Sequence, residues 1–435
     1  MKRPIVIGLL IVALGLVCLG IGAVAFFTAN NGFAGNNPFD KRNISSQMEE
    51  SKTLKVDAAK PLTLKITNAA GDVSITGAEV DTVQVKVVKT AYDSSQARAD
   101  QEVKIIQYDI KQTGNNITFT YELPKSVNIS NNVNTVDFAI TVPRQTSVDM
   151  SGNMGEVSIT GLQGQVAVDN SFGDVTLEQI DGALEVKTSG GSVDVASVAA
   201  GAGNIDLYSG FGTITGNQLS GANVTAESDS GKLDVKNVRA TQEMQLTSDF
   251  GNVSFDKGTA GKLTVSTKSG SIDITSVSVS DALAAINGFG DIHLEQVEAG
   301  SYDIQTDSGS ILVDGAQGAV KAVTGFGNIT IHNAENATIQ LNTKSGAVDF
   351  EGSLGEGPHT VHSDFGNIEL SLPADSALNV DLQTQFGNIR SDIPVTVTLT
   401  GETEQSHQTG TINGGGSGLS ASTQSGGITI TAWDD

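Results

Sequence analysis

Phe250-Gly251-Asn252-Val253-Ser254-Phe255 and, nineteen residues on, Ser269-Gly270-Ser271-Ile272-Asp273-Ile274 decide how this chain reads. Each is a glycine turn followed by a short run of apolar residues two apart, the mark of one face of a β-strand. The first form recurs as Phe172-Gly173, Phe211-Gly212, Phe250-Gly251, Phe289-Gly290, Phe326-Gly327 and Phe365-Gly366, at intervals of 39, 39, 39, 37 and 39 residues. The second interleaves with it as Ser189-Gly190, Ser230-Gly231, Ser269-Gly270, Ser308-Gly309 and Ser345-Gly346. A fixed period in this range is the signature of a solenoid.

Working outward from the turn, one coil places Val175, Leu177, Ile180, Leu184 and Val186 at apolar positions. The step of three across Gln179, or across Ser276 in a later coil, marks a corner. The expected fold is all-β: a single-stranded parallel β-helix, right-handed, with coils of about 19–20 residues stacked at ~4.8 Å. Glycine at the turn needs no functional explanation, because it supplies positive φ without steric cost. The Asn and Asp after it, such as Asp174, Asn252 and Asn328, suit the same turn and are expected to form a ladder. Cation-binding repeats need a nine-residue Gly/Asp period, which this chain lacks. The phenylalanines are expected to fill a corner where the serine coil leaves room, following the general tendency of Phe to be buried.

The ends depart from the array. Met1-Lys2-Arg3 precedes an uncharged run from Pro4 to Phe27. As a helix that run would span ~36 Å, enough for a bilayer core. Its flanking charges put the N-terminus in the cytoplasm and the rest outside. The expected organisation is a tail at 1–3, a transmembrane anchor at 4–27, a flexible linker at 28–50, a β cap with one short helix at 51–150, and the regular solenoid with its own cap at 151–435. The alternative is a secreted form cleaved near Ala25, where Ala23-Val24-Ala25 has a small-x-small pattern. The helix is expected over Ser94 to Val103, and strands over Tyr108–Ile110, Ile117–Tyr121 and Val136–Val142. Near the other end, Phe386-Gly387 arrives where a serine coil is due, so the alternation slips.

Composition narrows the function classes. The chain of 435 residues has 25 Lys and Arg against 49 Asp and Glu, a net charge of -24. That argues against nucleic acid and anionic lipid surfaces, which need basic patches. The single cysteine, Cys18, excludes an intramolecular disulfide and a cysteine-based zinc site. Five histidines are scattered, and His359 and His362 sit three apart, on opposite faces of a strand. No nucleophile, phosphate-loop or zinc spacing stands out, so no enzyme, cofactor or metal is expected.

Asn68-Ala69-Ala70-Gly71-Asp72-Val73, Val142-Pro143, the repeated Ser-Gly-x-Ile and Phe-Gly-Asn-Ile units and Gly410-Thr411-Ile412-Asn413-Gly414 together resemble the bacterial "putative adhesin" family of domains of unknown function. The resemblance covers about 51–435. It implies a surface-exposed β-helix in an envelope protein and supplies no catalytic residues. The expected role is a membrane-anchored, non-catalytic rod that contacts a cell-surface or envelope protein or a glycan. An envelope-stress accessory acting through membrane partners is the alternative, and a polysaccharide-acting enzyme a remote one.

Overall fold

The structure is a computed structural model that describes residues 44–57, 59–123, 133–397 and 406–433. The expected anchor and cytoplasmic tail lie outside these residues. Among the described residues no helix is long and apolar enough to cross a membrane.

The body is a β-solenoid whose strands pair in parallel from one coil to the next. Val166 lies beside Leu184, 18 residues on, and Leu184 beside Ile205, 21 residues on, so the coil length varies around the expected value. Most coils run from the glycine turn along one leg, such as Val175–Glu178, and bend at a residue in the left-handed region. Gln179, Ser197, Gln218, Asn237, Lys257, Ser276 and Gln296 occupy that corner with φ between 53° and 59°. The step of three read from the sequence is thus a left-handed residue, which Asn, Gln and Ser adopt at a cost of roughly 1–2 kcal/mol. A short second leg follows, carrying Ile180 beside Val198 and Val198 beside Leu219. A third leg, such as Leu184–Thr188, returns to the next glycine.

Apolar side chains of all three legs fill one continuous core along the rod. Volume is balanced within a coil. Phe255 is fully buried, and Gly258 in the same coil stands where neighbouring coils carry Val238 and Val277. A β-carbon on Gly258 would meet the Phe255 ring.

The turn is held from inside by a polar ladder. From Gly173 onward, a buried Ser, Thr or Asn sits three residues before each stacked turn glycine. Its side chain donates to the carbonyl of the glycine one coil earlier. Thr324 reaches Gly309 at 2.9 Å, Thr343 reaches Gly327 at 2.9 Å, Ser363 reaches Gly346 at 2.8 Å and Thr423 reaches Gly366 at 3.0 Å. Asn170 and Asn287 do the same with their amides. The glycines themselves stack in contact: a β-carbon on Gly346 would strike the carbonyl oxygen of Gly327, and one on Gly366 that of Gly346. Gly327 has φ 154°, but Gly346 and Gly366 are not in the left-handed region. Close approach therefore requires the glycine at every coil, and positive φ only at some, which corrects the reading from turn geometry alone.

Both ends are closed by the same device. β1 (Ile44–Lys55), β2 (Leu62–Asn68), β3 (Val73–Ala78), β4 (Thr82–Asp93), α1 (Gln96–Ile105), β5 (Asp109–Thr113), β6 (Asn116–Tyr121), β7 (Thr135–Pro143), β8 (Thr146–Met154) and β9 (Val157–Thr160) form the N-terminal end. The coil of β2 and β3 is not outermost. It lies between β6 and β7 on one side and β8 and β9 on the other. β4 then adds antiparallel to β7, β1 to β4 and β5 to β6. β1 begins at Ile44, so the expected linker gives way to strand before residue 50. The cause is pairing: all twelve residues of β1 find partners on β4.

At the other end, Ser417–Ser425 inserts between His359–Phe365 and Leu378–Phe386, pairing in parallel with both. Ile428–Trp433 likewise lies between Ile368–Pro373 and Ile389–Ser391. In space the order of turns is Phe365, Ser425, Phe386. The slip at Phe386 is therefore a feature of the sequence order alone, and the alternation continues through the stack. His407–Ile412 closes this end antiparallel to Leu378–Gln383.

Two outcomes follow from this architecture. Thr343→Val keeps the shape of a fully buried side chain and removes the donor to the Gly327 carbonyl, so urea denaturation should show a loss of about 1–3 kcal/mol. Deleting residues 414–435 removes the inserted coil. Limited proteolysis should then cut within 374–412, which loses its parallel neighbour, while the array up to Pro373 stays resistant.

Candidate binding edge

The turn fixes where the phenylalanines point. Met244, Leu246 and Ser248 face inward along one strand, and the same parity would carry Phe250 inward. Instead Phe250 lies 63% exposed. The corner behind it is already shut by the Ser248 hydroxyl, 2.9 Å from the Gly231 carbonyl, and by the glycine backbones in contact. No room remains for a ring. The same holds at Phe172, Phe211, Phe289, Phe326, Phe365 and Phe386, whose exposures span 58% to 76%. The expected buried corner is thus overturned: the rings form an exposed row along one edge of the rod.

The structure places the whole repeat in that one column. Ser269 pairs with Phe250 on one side and Phe289 on the other. Ser308 lies between Phe289 and Phe326, Ser345 between Phe326 and Phe365, and Ser230 on the coil between those of Phe211 and Phe250. One position is shifted from the sequence reading. Gly191, not Gly190, stacks on Gly173 and receives the Ser209 hydroxyl at 2.7 Å. Gly190 holds the place of Phe or Ser, beside Phe172.

The residue after the glycine ties many coils together in pairs. On every phenylalanine coil but that of Phe211, where it is Thr213, it is Asp or Asn, and on most of these coils its side-chain oxygen accepts the backbone N–H of the equivalent residue on the next coil. Asp174 accepts from Ser192 at 2.8 Å, Asn252 from Ser271 at 3.0 Å, Asp291 from Ser310 at 2.7 Å and Asn328 from Ala347 at 2.9 Å. The expected ladder exists, but it runs from side chain to backbone and links coils in pairs. Those oxygens are committed to amides, and no acidic or histidine cluster able to hold a metal occurs among the described residues.

The same chain of acceptors begins in the cap, where Asp137 accepts the Asp72 N–H at 2.9 Å and Asp72 accepts that of Glu156 at 2.8 Å. Burial pushes the Asp137 carboxyl up to about 6, the Asp72 N–H opposes this, and the Asp72 charge adds to it.

Elsewhere the chemistry is spent on structure. His359 is buried, with Nδ1 facing the Ile339 N–H and Nε2 facing the Gly355 carbonyl at 3.2 Å, and burial lowers its pKa. His362 points outward to Ser422 and Asp364. An open cleft of about 600 Å³ beside the cap contains Lys52, Lys89, Tyr108 and Glu50. Within it Lys89 pairs with Glu50 at 2.6 Å, the Tyr108 hydroxyl donates to the same carboxylate at 2.6 Å, and Lys111 pairs with Asp109 at 3.1 Å, while Glu122 also lines the cleft. The Lys89 and Tyr108 contacts hold Glu50 below the usual carboxylate range. A smaller hollow between Thr259 and Gln317 presents a single carboxylate, Glu298, where glycoside chemistry needs a pair.

The Toastrack DUF4097 model matches residues 63–256, 222–289 and 248–431. The chain belongs to the Toastrack DUF4097 family. Two solved structures are similar to this Toastrack chain. One is a "putative cell adhesion protein" from Clostridium sporogenes, 11% identical, covering 89% of this chain and 100% of its own, with a TM-score of 0.20. The other is a "putative adhesin" from Bacteroides fragilis, 12% identical, covering 89% and 98%, with a TM-score of 0.22. Among curated proteins, none is significantly similar to the chain.

The exposed row was missed from sequence because Phe is usually buried and strand parity agreed with burial. The signal that could have found it is the invariant small polar residue two positions before each Phe, which already fills the inward site.

A pH dependence follows from Asp137. Its folded pKa lies above the unfolded value, so the native state holds its proton longer, and stability falls as pH rises from about 4 to about 6. Asp137→Asn keeps an acceptor for Asp72. At pH 7 it should be more stable by on the order of 1–2 kcal/mol, allowing for partial exposure, and thermal melts should lose that pH slope.

Proposed function

We propose that this Toastrack protein is a non-catalytic, adhesin-like rod held outside the cell membrane by its N-terminal apolar run. It binds surface or envelope components, protein or glycan, along the phenylalanine edge. The observation that carries this reading is the exposed row itself. Contiguous apolar surface on a monomeric protein marks an interaction site, and aromatic residues dominate the energetics of such sites. A stiff, evenly stacked body supports the row, so a ligand meets pre-organised rings and little ordering cost opposes binding. The acidic surface keeps the rod solvated and away from anionic lipid. In the cleft beside the cap the Glu50 carboxylate is tied to Lys89 and Tyr108, which supports a binding role over a cleaving one.

The test is adhesion of cells displaying the full chain, compared with Phe250→Ser, Phe289→Ser and Phe326→Ser combined. Adhesion should fall at least tenfold while the melting temperature stays within a few degrees, because exposed side chains contribute little to the core. Unchanged adhesion with intact folding would sink the reading.

A further inference from the structure

We infer that the phenylalanine edge is a self-complementary seam that takes a second, antiparallel copy of the same chain. This rests on the reading of the edge as a binding surface and names its occupant.

Coils stack at ~4.8 Å, so a ring on every second coil leaves a repeat of about 9.6 Å with a small residue at each midpoint. Teeth and gaps are then equal in number along the edge. A two-fold axis that keeps the rods parallel lays each Phe on the same Phe of the other copy. A two-fold axis across the edge reverses the second rod, and when it passes midway between a Phe coil and a Ser coil every ring meets a gap.

One such axis seats all seven rings against the stretch from Met154 to Phe386. From Met154 to Phe386 the column holds equal numbers of coils on each side of the midpoint between Ser269 and Phe289. Reversal about that point sets Phe289 opposite Ser269 and Phe250 opposite Ser308, so that six rings meet Ser or Gly and Phe386 meets the larger Met154. This match depends on the inserted C-terminal coil, which restores the alternation at Ser425 between Phe365 and Phe386.

The area also fits. Seven rings, each more than half exposed, offer on the order of 900 Å² per copy, close to the ~800 Å² per partner of a standard interface. A closed two-fold contact of this kind uses one patch twice and leaves no free end to grow into fibres. The net charge of -24 opposes the pairing, so salt should favour it.

The test uses the full chain in membranes or detergent, with Cys18→Ser to remove the native thiol and one new cysteine on the seam, treated with a short bismaleimide. Ser269→Cys lies next to the axis and should couple to its counterpart, more strongly at high salt. Ser425→Cys lies about 50 Å from its counterpart in the antiparallel pair and should not couple. Adding Phe250→Ser and Phe289→Ser should reduce the Ser269→Cys product at least tenfold. Equal coupling at both positions overturns the antiparallel register. No coupling of an accessible Ser269→Cys overturns the second copy as occupant; if the triple serine variant still abolishes adhesion, the edge binds something else and the broader reading stands. Coupling with unchanged adhesion supports the seam and removes the adhesive role.

Discussion

Everything in this rod depends on a hydrogen bond that crosses from one coil to the next at the glycine turn. The glycine carbonyl faces inward, where water cannot reach it, and a buried carbonyl without a partner is costly. The hydroxyl or amide three residues before the next glycine supplies that partner. Because each donor sits on a different coil from its acceptor, the bond can form only when coils are in register. A slip of one residue would strand both groups and turn the apolar set outward. The ladder therefore does for the turn what backbone pairing does for the legs: it makes correct stacking the one arrangement in which every buried polar group is served.

The alternation of Phe and Ser follows from that constraint together with a second one. Glycine backbones in contact leave no space for a side chain at the corner, so whatever precedes the glycine must go outward. There the inner core no longer selects its identity. Most pairs of coils are also tied at the residue after the glycine, where Asp or Asn on one coil accepts the N–H of the next. A pair is thus the structural unit, and the outward position carries one ring per unit. Glycine, hydroxyl and Asx explain the turn; the ring is left without a structural task, which is why the edge bears the functional reading.

The sequence made the solenoid legible because its period, its alternating apolar residues and its corner step all reflect backbone geometry, which repeats. The helix after residue 94 and the strands around Phe119 and Phe138 were readable for the same local reason, with ends displaced by one or two residues. What stayed hidden was spatial. Phe250 follows strand parity inward on paper, and only the crowding by Ser248 and Gly251 turns it out. Ser189-Gly190 looked like the turn, and only the contact of Gly191 with Gly173 shows the true column. The order of coils at the ends was hidden most deeply, since a segment near residue 420 pairs with one near 360 and another near 380, and nothing local encodes that choice.

Those end coils have a physical logic. An open coil of a parallel solenoid presents unpaired amides and carbonyls and an uncovered core, a template for uncontrolled stacking. Here the outermost coil at each end is not a chain end, and antiparallel strands lie beyond it. The inserted coil gains parallel partners on both sides, so it is as well paired as any coil of the interior. At the C-terminal end insertion also places Ser425 between Phe365 and Phe386. If closing the rod were all that insertion achieved, any coil would serve. That the inserted coil carries the small residue, and so keeps rings two coils apart to the last position, ties the closure of the fold to the regularity of its exposed edge.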